Sequence, residues 1–179
     1  MSLKHFIAAP HEIQVGEFGT KPIKIKLSDL NNAEINRKTA KKKQSNADEQ
    51  YVIHYEKEED FYGVYISELD HELKQVLETK FSNSYIYEFE GYFYNTQNAC
   101  HRRSIHALFE YINDHLAKGQ YAEIYSCWDG EEQDDKNEQL DTKINLSTCQ
   151  FGEHLTFSNL NELSQMIQLE EKQFITVLK

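Results

Sequence analysis

The sequence runs SYIYEFEGYFYNTQNACHRRSIHALFEYINDHLAKGQYAEIYSCWDGEE from residue 84 to residue 132. Residues 85–94 and 121–128 are rich in aromatic and β-branched side chains, which favours two strands. Residues 98–118 between them predict a helix, and Gly119 follows where a C-cap is expected. Such an order is typical of a crossover between parallel strands. The apolar stripe of the helix consists of Ile105, Leu108, Phe109, Ile112 and Leu116.

The first of these strands has two different faces. A period of two residues puts Glu88 and Glu90 on the face opposite to the aromatic side chains, so we expect one face to be buried and the other to be in water. Gly91 interrupts the pattern and predicts either a bulge or a tight turn. The aromatic face is formed by Tyr85, Tyr87, Phe89 and Phe93.

The rest of the chain predicts further strands and two further helices. Residues 13–15 and 23–27 alternate apolar with polar side chains and predict one hairpin, with its turn at residues 16–22. Residues 51–55 and 61–66 predict a second hairpin. Ser67, followed three residues later by Asp70, is typical of a helix start, and this helix is expected to reach Lys80. A last helix is expected within residues 155–167, with Ser158 or Asn159 near its start, between strands at 144–146 and 174–178.

These elements predict an α+β fold in a single domain, residues 1–179. We expect a mixed or mostly antiparallel sheet of about six to eight strands covered by about three helices. Residues 31–50 form a polar insertion with almost nothing to bury, either an exposed helix or a mobile loop.

The chain is strongly acidic, with a formal net charge of −11. Residues 1–50 contribute +3 and residues 51–179 contribute −14. An acidic surface repels phosphate backbones, which argues against direct nucleic-acid binding and leaves a cationic partner, a metal ion or plain solubility. A basic patch at Arg37, Lys38 and residues 41–43 suggests RNA contact in isolation. In so acidic a chain we interpret it as a solvated face.

Cysteine usage and hydropathy predict a cytoplasmic protein. Cys100, Cys127 and Cys149 include no CxxC pair, and no apolar run of signal-peptide length precedes them. No apolar segment approaches the roughly 20 residues needed to cross a bilayer, so we expect no membrane partner.

Candidate catalytic groups are few. His106 and Glu110 are spaced as an i, i+4 pair, but a metal site needs three or more protein ligands. Cys127 acts as a nucleophile only if a histidine meets it in space, and its acidic surroundings should raise its pKa. We therefore predict no catalytic residue, cofactor or metal. A hydrolase-like enzyme using His106 and Glu110, or Cys127 with a histidine, is the alternative.

The acidic run after residues 121–128 is the candidate site. It fails as an EF-hand, because Asp134 stands where Gly is required and Leu140 where Glu is required. A solvated loop and a loose cation site are the simpler interpretations. As a recognition site, its carboxylates would steer a basic protein partner and its tryptophan would anchor that partner. The candidate partner-binding residues are Trp128, Asp129, Glu131, Glu132, Asp134 and Asp135.

The run YAEIYSCWDGEE at residues 121–132 and the ending EKQFITV at residues 171–177 resemble small stand-alone bacterial immunity proteins. Those proteins neutralise toxins of polymorphic and contact-dependent inhibition systems. The resemblance covers roughly the C-terminal third of the chain. It implies an acidic, cytosolic, non-catalytic protein whose acidic loop contacts a cationic toxin domain. It does not explain the basic residues at 37–43.

A third hypothesis is a structural module without small-molecule chemistry. The many aromatic residues would then form an apolar patch on an edge strand, and this patch would mediate homodimerisation. The sequence alone does not choose between a dimer and a monomer.

Overall fold

The computed structural model describes residues 2–26, 41–42 and 51–179. These ranges contain twelve β-strands, three α-helices and two 3-10 helices, at Glu58–Phe61 and Glu138–Leu140. The helices are α1 (His71–Leu77), α2 (Ala99–His115) and α3 (Leu160–Met166). The strands are β1 (Leu3–Ala9), β2 (Gly16–Phe18), β3 (Ile23–Lys26), β4 (Lys41–Lys42), β5 (Tyr51–His54), β6 (Val64–Glu68), β7 (Tyr85–Gly91), β8 (Tyr121–Trp128), β9 (Thr142–Asn145), β10 (Gln150–Phe151), β11 (Leu155–Thr156) and β12 (Phe174–Leu178).

Nine strands form one large mixed sheet in the order β11-β10-β9-β12-β8-β1-β7-β6-β2. All neighbours in it are antiparallel except β9 and β12, which are parallel. A small second sheet has the order β3-β5-β4. The α+β prediction is confirmed, with slightly more strands than expected. Strands of two residues, such as β10 and β11, are too short to show a hydrophobic period.

The sequence does not reveal β1, an interior strand of the large sheet next to its middle strand, β8. It lies between β7 and β8 and is antiparallel to both. Its residues are buried on both faces, so they read as an apolar run without alternation. Since β7 and β8 are parallel to each other across β1, the predicted crossover exists as a split β-α-β unit.

The sheet is covered on both faces. On one face α2 and α3 pack over a large core that includes Ile7, Ile124 and the predicted stripe of α2. On the other face a smaller core contains Leu77 of α1 together with Phe6, Ile86 and other side chains of the central strands. The expectation of one wet face on β7 is therefore wrong for Ile86, although Glu88 and Glu90 beyond it do reach the surface.

Both predicted hairpins are wrong. Strand β2 pairs with β6, and β3 pairs with β5 in the small sheet. Strand β6 pairs with β7 instead of with β5. Short alternating runs indicate strands but carry little information on partners, because partners are chosen by packing against distant residues.

Helix caps match the sequence signals more closely. The side chain of Asn98 accepts a hydrogen bond from the Cys100 amide at the start of α2, and Asn159 caps α3 in the same way. Asp70 caps α1 by accepting from the Leu73 amide at 2.8 Å, whereas Ser67 lies within β6. The predicted cap at Ser67 is therefore displaced by three residues.

The two glycines singled out in the sequence have separate roles. Gly91 is the last residue of β7, so it is neither a bulge nor a mid-strand turn. A Cβ atom there would come within 2.6 Å of the Phe93 ring, which explains the absence of a side chain. Gly119 is not the C-cap of α2 as predicted, because the helix ends at His115 and its C-cap is Leu116. Gly119 lies three residues beyond this cap with φ of +85°, a conformation that glycine adopts without strain.

The predicted insertion at residues 31–50 lies outside the described residues, apart from the two residues of β4. Within the described part of the chain, no helix is long and apolar enough to cross a membrane.

A buried carboxylate fastens the segment between α1 and β7 to the sheet. Glu123 on β8 is 4% exposed and accepts hydrogen bonds from the amides of Ser82, at 3.0 Å, and Asn83, at 2.8 Å. The Asn83 side chain donates in return to the Tyr121 carbonyl at 3.1 Å. Charge-assisted bonds of this kind compensate the desolvation of the carboxylate.

We expect Glu123→Gln to lower the free energy of unfolding by about 1.5–3 kcal/mol, because the amide group presents an NH₂ to backbone donors. Urea denaturation followed by far-UV circular dichroism measures this. Glu138→Gln, at an exposed position, is the matched control and should change stability by less than about 0.5 kcal/mol. If Glu123→Gln and wild type have the same free energy of unfolding, these hydrogen bonds make no net contribution to stability.

Candidate functional site

The acidic loop, residues 129–141, begins where β8 leaves the sheet. Trp128 is the last residue of β8 and the only tryptophan of the chain. Its side chain is partly buried, and Nε1 donates to Glu171 Oε2 at 2.7 Å. The indole is thereby fixed against the segment that leads into β12 rather than projecting freely.

Lys172 joins this segment to the acidic loop. Its Nζ atom lies 2.9 Å from Asp134 Oδ2 and 3.5 Å from Glu131 Oε2. The hydrogen bond to Asp134 is the main reason that the pKa of Lys172 is raised. The backbone amide of Asn137 also donates to the Lys172 carbonyl at 2.8 Å. Side-chain and backbone contacts together therefore hold the loop in one position.

Lys4 of β1 joins the loop to the neighbouring strands. Its Nζ atom lies 3.2 Å from Asp129 Oδ1 and 3.9 Å from Glu88 Oε1 on β7. Partial burial acts to lower the pKa of Lys4, but the hydrogen bond to Asp129 and the nearby charges of Glu88 and Glu132 raise it overall. The pKa of Glu88 is raised by burial, and Glu90 and Asp129 add to this effect.

The two remaining predicted residues have no lysine partner among the described residues. Glu132 accepts a hydrogen bond from the Gly130 amide at 3.2 Å. Asp135 is exposed and forms no hydrogen bond or ion pair with the described part of the chain. These two side chains are therefore the ones best placed to meet an external cation.

We call this surface the acidic face. Its six carboxylates outnumber its two lysines and Lys80, whose Nζ atom donates to the Asp134 carbonyl, so the surface keeps a net negative charge after the internal ion pairs are counted. Exposed ion pairs contribute little to stability, but here they fix the position of the loop. The acidic face consists of Glu88, Asp129, Glu131, Glu132, Asp134 and Asp135, with Lys4 and Lys172.

The structure thus brings all six predicted residues to one end of β8 and adds groups that the sequence analysis missed. Glu88 joins them only because β1 lies between β7 and β8, and the position of β1 was not predicted. Lys4 was missed for the same reason. The signal for Glu171 and Lys172 was present in the segment EKQFITV, which was used for the resemblance but not for its charges.

The alternative catalytic groups are placed apart. Cys127 is fully buried on the face of the sheet that α1 covers, and burial together with Glu132 raises its pKa to about 12. His106 lies on α2, across the sheet from Cys127. Its Nδ1 atom is 3.8 Å from Glu110, and burial lowers its pKa. No group of three potential ligands that could hold a metal occurs among the described residues.

A histidine–serine pair lies in the core. His5 Nδ1 is 2.8 Å from Ser126 Oγ, and the two side chains are 6% and 1% exposed. The imidazole stacks on Phe89 with ring centroids 5.4 Å apart, and Phe93 meets it edge-on. Burial lowers the pKa of His5 to about 4. Because the Ser126 side chain is buried and the imidazole is packed between Phe89 and Phe93, we interpret the pair as structural.

Compared with protein-family models, with curated proteins and with solved structures, the chain matches none of them.

The burial of Cys127 predicts low reactivity in the native protein. At pH 8 the fraction present as thiolate is about three orders of magnitude lower for a thiol with a pKa of about 12 than for a free cysteine. Iodoacetamide should therefore modify the half-buried Cys149 and spare Cys127, as mass spectrometry of peptides will show. In 6 M guanidinium all three cysteines should react. Fast native modification of Cys127 would instead favour the nucleophile hypothesis.

The burial of His5 predicts acid destabilisation. Unfolded His5 binds a proton below a pH of about 6.5, whereas folded His5 does so only below about 4. The unfolded state therefore holds more protons between these values. The stability that His5 contributes is complete above 6.5 and falls by about 3 kcal/mol as the pH drops to 4.

Urea denaturation at pH values from 4 to 8 measures this dependence. His5→Gln keeps a partner for Ser126 but does not titrate, so its stability should fall less steeply with acid than that of wild type. His154→Gln, at a fully exposed position, should keep the wild-type slope. Identical slopes for His5→Gln and wild type would contradict the assignment.

Proposed function

We propose that this protein is a non-enzymatic binding protein that docks the acidic face onto a basic protein partner. The observation that carries the proposal is the excess of carboxylates around Trp128, held in place by Lys4 and Lys172. A preformed charged surface loses little conformational entropy on binding, and its potential accelerates encounter with an oppositely charged partner.

The tryptophan gives this surface an anchor of the type found at interface hot spots. Its contact with Glu171 keeps the ring in one orientation beside the carboxylates. Glu132 and Asp135, which have no lysine partner in the described part of the chain, supply acceptors for arginine or lysine side chains of the partner. Complementary charge would then set the orientation of the complex.

The resemblance to bacterial immunity proteins leads to a more specific form of the proposal. The protein would act in the bacterial cytoplasm as an antagonist of a cationic toxin domain, and the acidic face would cover part of that domain. A gene for a secreted toxin directly upstream of the gene for this chain would favour this form over a general binding role.

The two rival functions receive less support. The separation of Cys127 from His106 by the sheet, and the inaccessible Ser126, give the hydrolase alternative no assembled set of catalytic groups among the described residues. For homodimerisation, the edge strands of the large sheet are β2 and β11, with three and two residues. Neither is the long aromatic edge that the dimer hypothesis requires.

Charge reversal tests the proposal. We expect Glu132→Lys/Asp135→Lys to weaken binding of the partner at least about tenfold, mainly through slower association, and to reduce the salt dependence of binding. The partner is first identified, without use of the variant, as a protein that wild type captures from cells that encode the chain. Its affinity is then measured from the fluorescence of Trp128 at several salt concentrations.

The matched control is Glu12→Lys/Asp114→Lys, which changes the net charge equally. Asp114 lies on α2, on the opposite face of the sheet, and Glu12 follows β1 at the end of that strand opposite to Lys4; both side chains are exposed. The control should bind within about threefold of wild type. Equal affinities for the wild type and the Glu132→Lys/Asp135→Lys variant would remove the acidic face from the interface.

A further inference from the structure

A second acidic surface lies beside the acidic face, toward the β2 edge of the same sheet. A groove of about 530 Å³ opens beside β2, β6 and the end of β7. Among the described residues that line it, none carries a positive charge. We call it the aromatic–acidic groove, and the lining residues that matter here are Glu17, Tyr62, Tyr65, Glu90 and Tyr92.

The strand register places two carboxylates on either side of one tyrosine. Tyr65 of β6 pairs directly with Glu17 of β2 and with Glu90 of β7. Directly paired residues project from the same face of a sheet, with Cβ atoms about 5 Å apart. Tyr65 is 50% exposed, and both glutamates are exposed as well. This face of the sheet therefore presents an aromatic ring between two negative charges.

Further aromatic rings extend this surface. The rings of Tyr62 and Tyr92 meet at a centroid distance of 5.3 Å and an angle of 69°, and the Tyr92 and Tyr94 rings meet at 5.5 Å and 82°. Edge-to-face contacts of this kind hold the rings in defined orientations. The groove thus has aromatic walls that do not need to be ordered by a ligand.

Aromatic faces together with carboxylates select cations. A guanidinium group stacks on a tyrosine ring through cation–π attraction and donates paired hydrogen bonds to carboxylates at its edge. Lysine offers only a compact, strongly hydrated charge, so the planar guanidinium fits this arrangement better. An anion or a nucleic-acid backbone is repelled by the same two carboxylates.

The groove is continuous with the acidic face. Glu90 also lines the neighbouring cavity of about 390 Å³, together with Lys4 and Glu88. A partner seated on the acidic face therefore extends naturally toward the groove along β7.

We propose that the aromatic–acidic groove binds an arginine side chain of the basic partner. This inference rests on the proposed function for the identity of the partner, but the site itself is testable with a small molecule. Tyr65 supplies the stacking surface, and Glu17 and Glu90 accept hydrogen bonds from the guanidinium.

The test is an NMR titration of the full chain, with labelled tyrosine rings, using N-acetyl-arginine methylamide. We expect saturable shifts at Tyr65 and Tyr92. The matching citrulline derivative, which has nearly the same shape without the charge, should produce no saturable shift. The Glu17→Gln/Glu90→Gln variant should bind the arginine probe about five- to tenfold more weakly, and Tyr65→Leu about threefold more weakly.

Glu132→Gln/Asp135→Asn is the control, and its affinity for the probe should equal that of wild type. Equal shifts with arginine and citrulline probes would overturn the proposal, as would unchanged binding by Glu17→Gln/Glu90→Gln.

The failure of the groove is distinguishable from the failure of the proposed function. If the probe does not bind but Glu132→Lys/Asp135→Lys still abolishes partner binding, only the groove is refuted. If the probe binds while that charge-reversed variant keeps full affinity for the partner, only the acidic face is refuted.

Discussion

The whole sheet depends on the hydrogen bonding of β1 to β7 on one side and to β8 on the other. Without β1 the strands of the split β-α-β unit have no common neighbour, and α2 has no continuous surface to cover. The same strand carries Phe6 into the smaller core and Ile7 into the larger one. It also carries His5 and Lys4 side by side, one into the core and one into the acidic face. A single strand thus connects the packing of the protein with its candidate site.

The parts of the fold that could be predicted are those specified by local sequence. The stripe and cap of α2, the cap of α3 and the strands β7, β8 and β12 follow from periodicity and from side chains such as Asn98 and Asn159. Strand pairing could not be predicted, because it depends on contacts between distant residues. The burial of β1 on both faces removes the alternation by which a strand is recognised. The two hairpins are wrong for the first of these reasons, and β1 was missed for the second.

The candidate site shows the same division. A run of carboxylates after an aromatic residue is visible in the sequence, and Trp128 to Asp135 do lie together. The counter-charges are not visible in this way, because Lys4 and Lys172 come from opposite ends of the chain. The sequence predicts only that Glu88 lies on the wet face of its strand, whereas the register of β1 places its Oε1 atom 3.9 Å from Lys4 Nζ. The charged residues of the sequence therefore predict that this surface is negative, whereas its extent depends on the topology of the sheet.

The position of β1 also has a consequence for how the chain acquires its structure. His5 meets Ser126 across 121 positions of sequence, so β1 is synthesised long before its partner strand β8. Contacts between residues this far apart in the sequence slow folding, because the entropy of closing a long loop must be lost before the contact can stabilise the chain. Both hydrogen-bonding edges of β1 stay unpaired until β7 has been synthesised, and one edge until β8 has been synthesised; an unpaired apolar strand is prone to aggregation. Lys4 at its beginning places one charge on a strand that would otherwise be almost entirely apolar. Efficient production of this protein should therefore be more sensitive to chaperone capacity and temperature than its final stability would suggest.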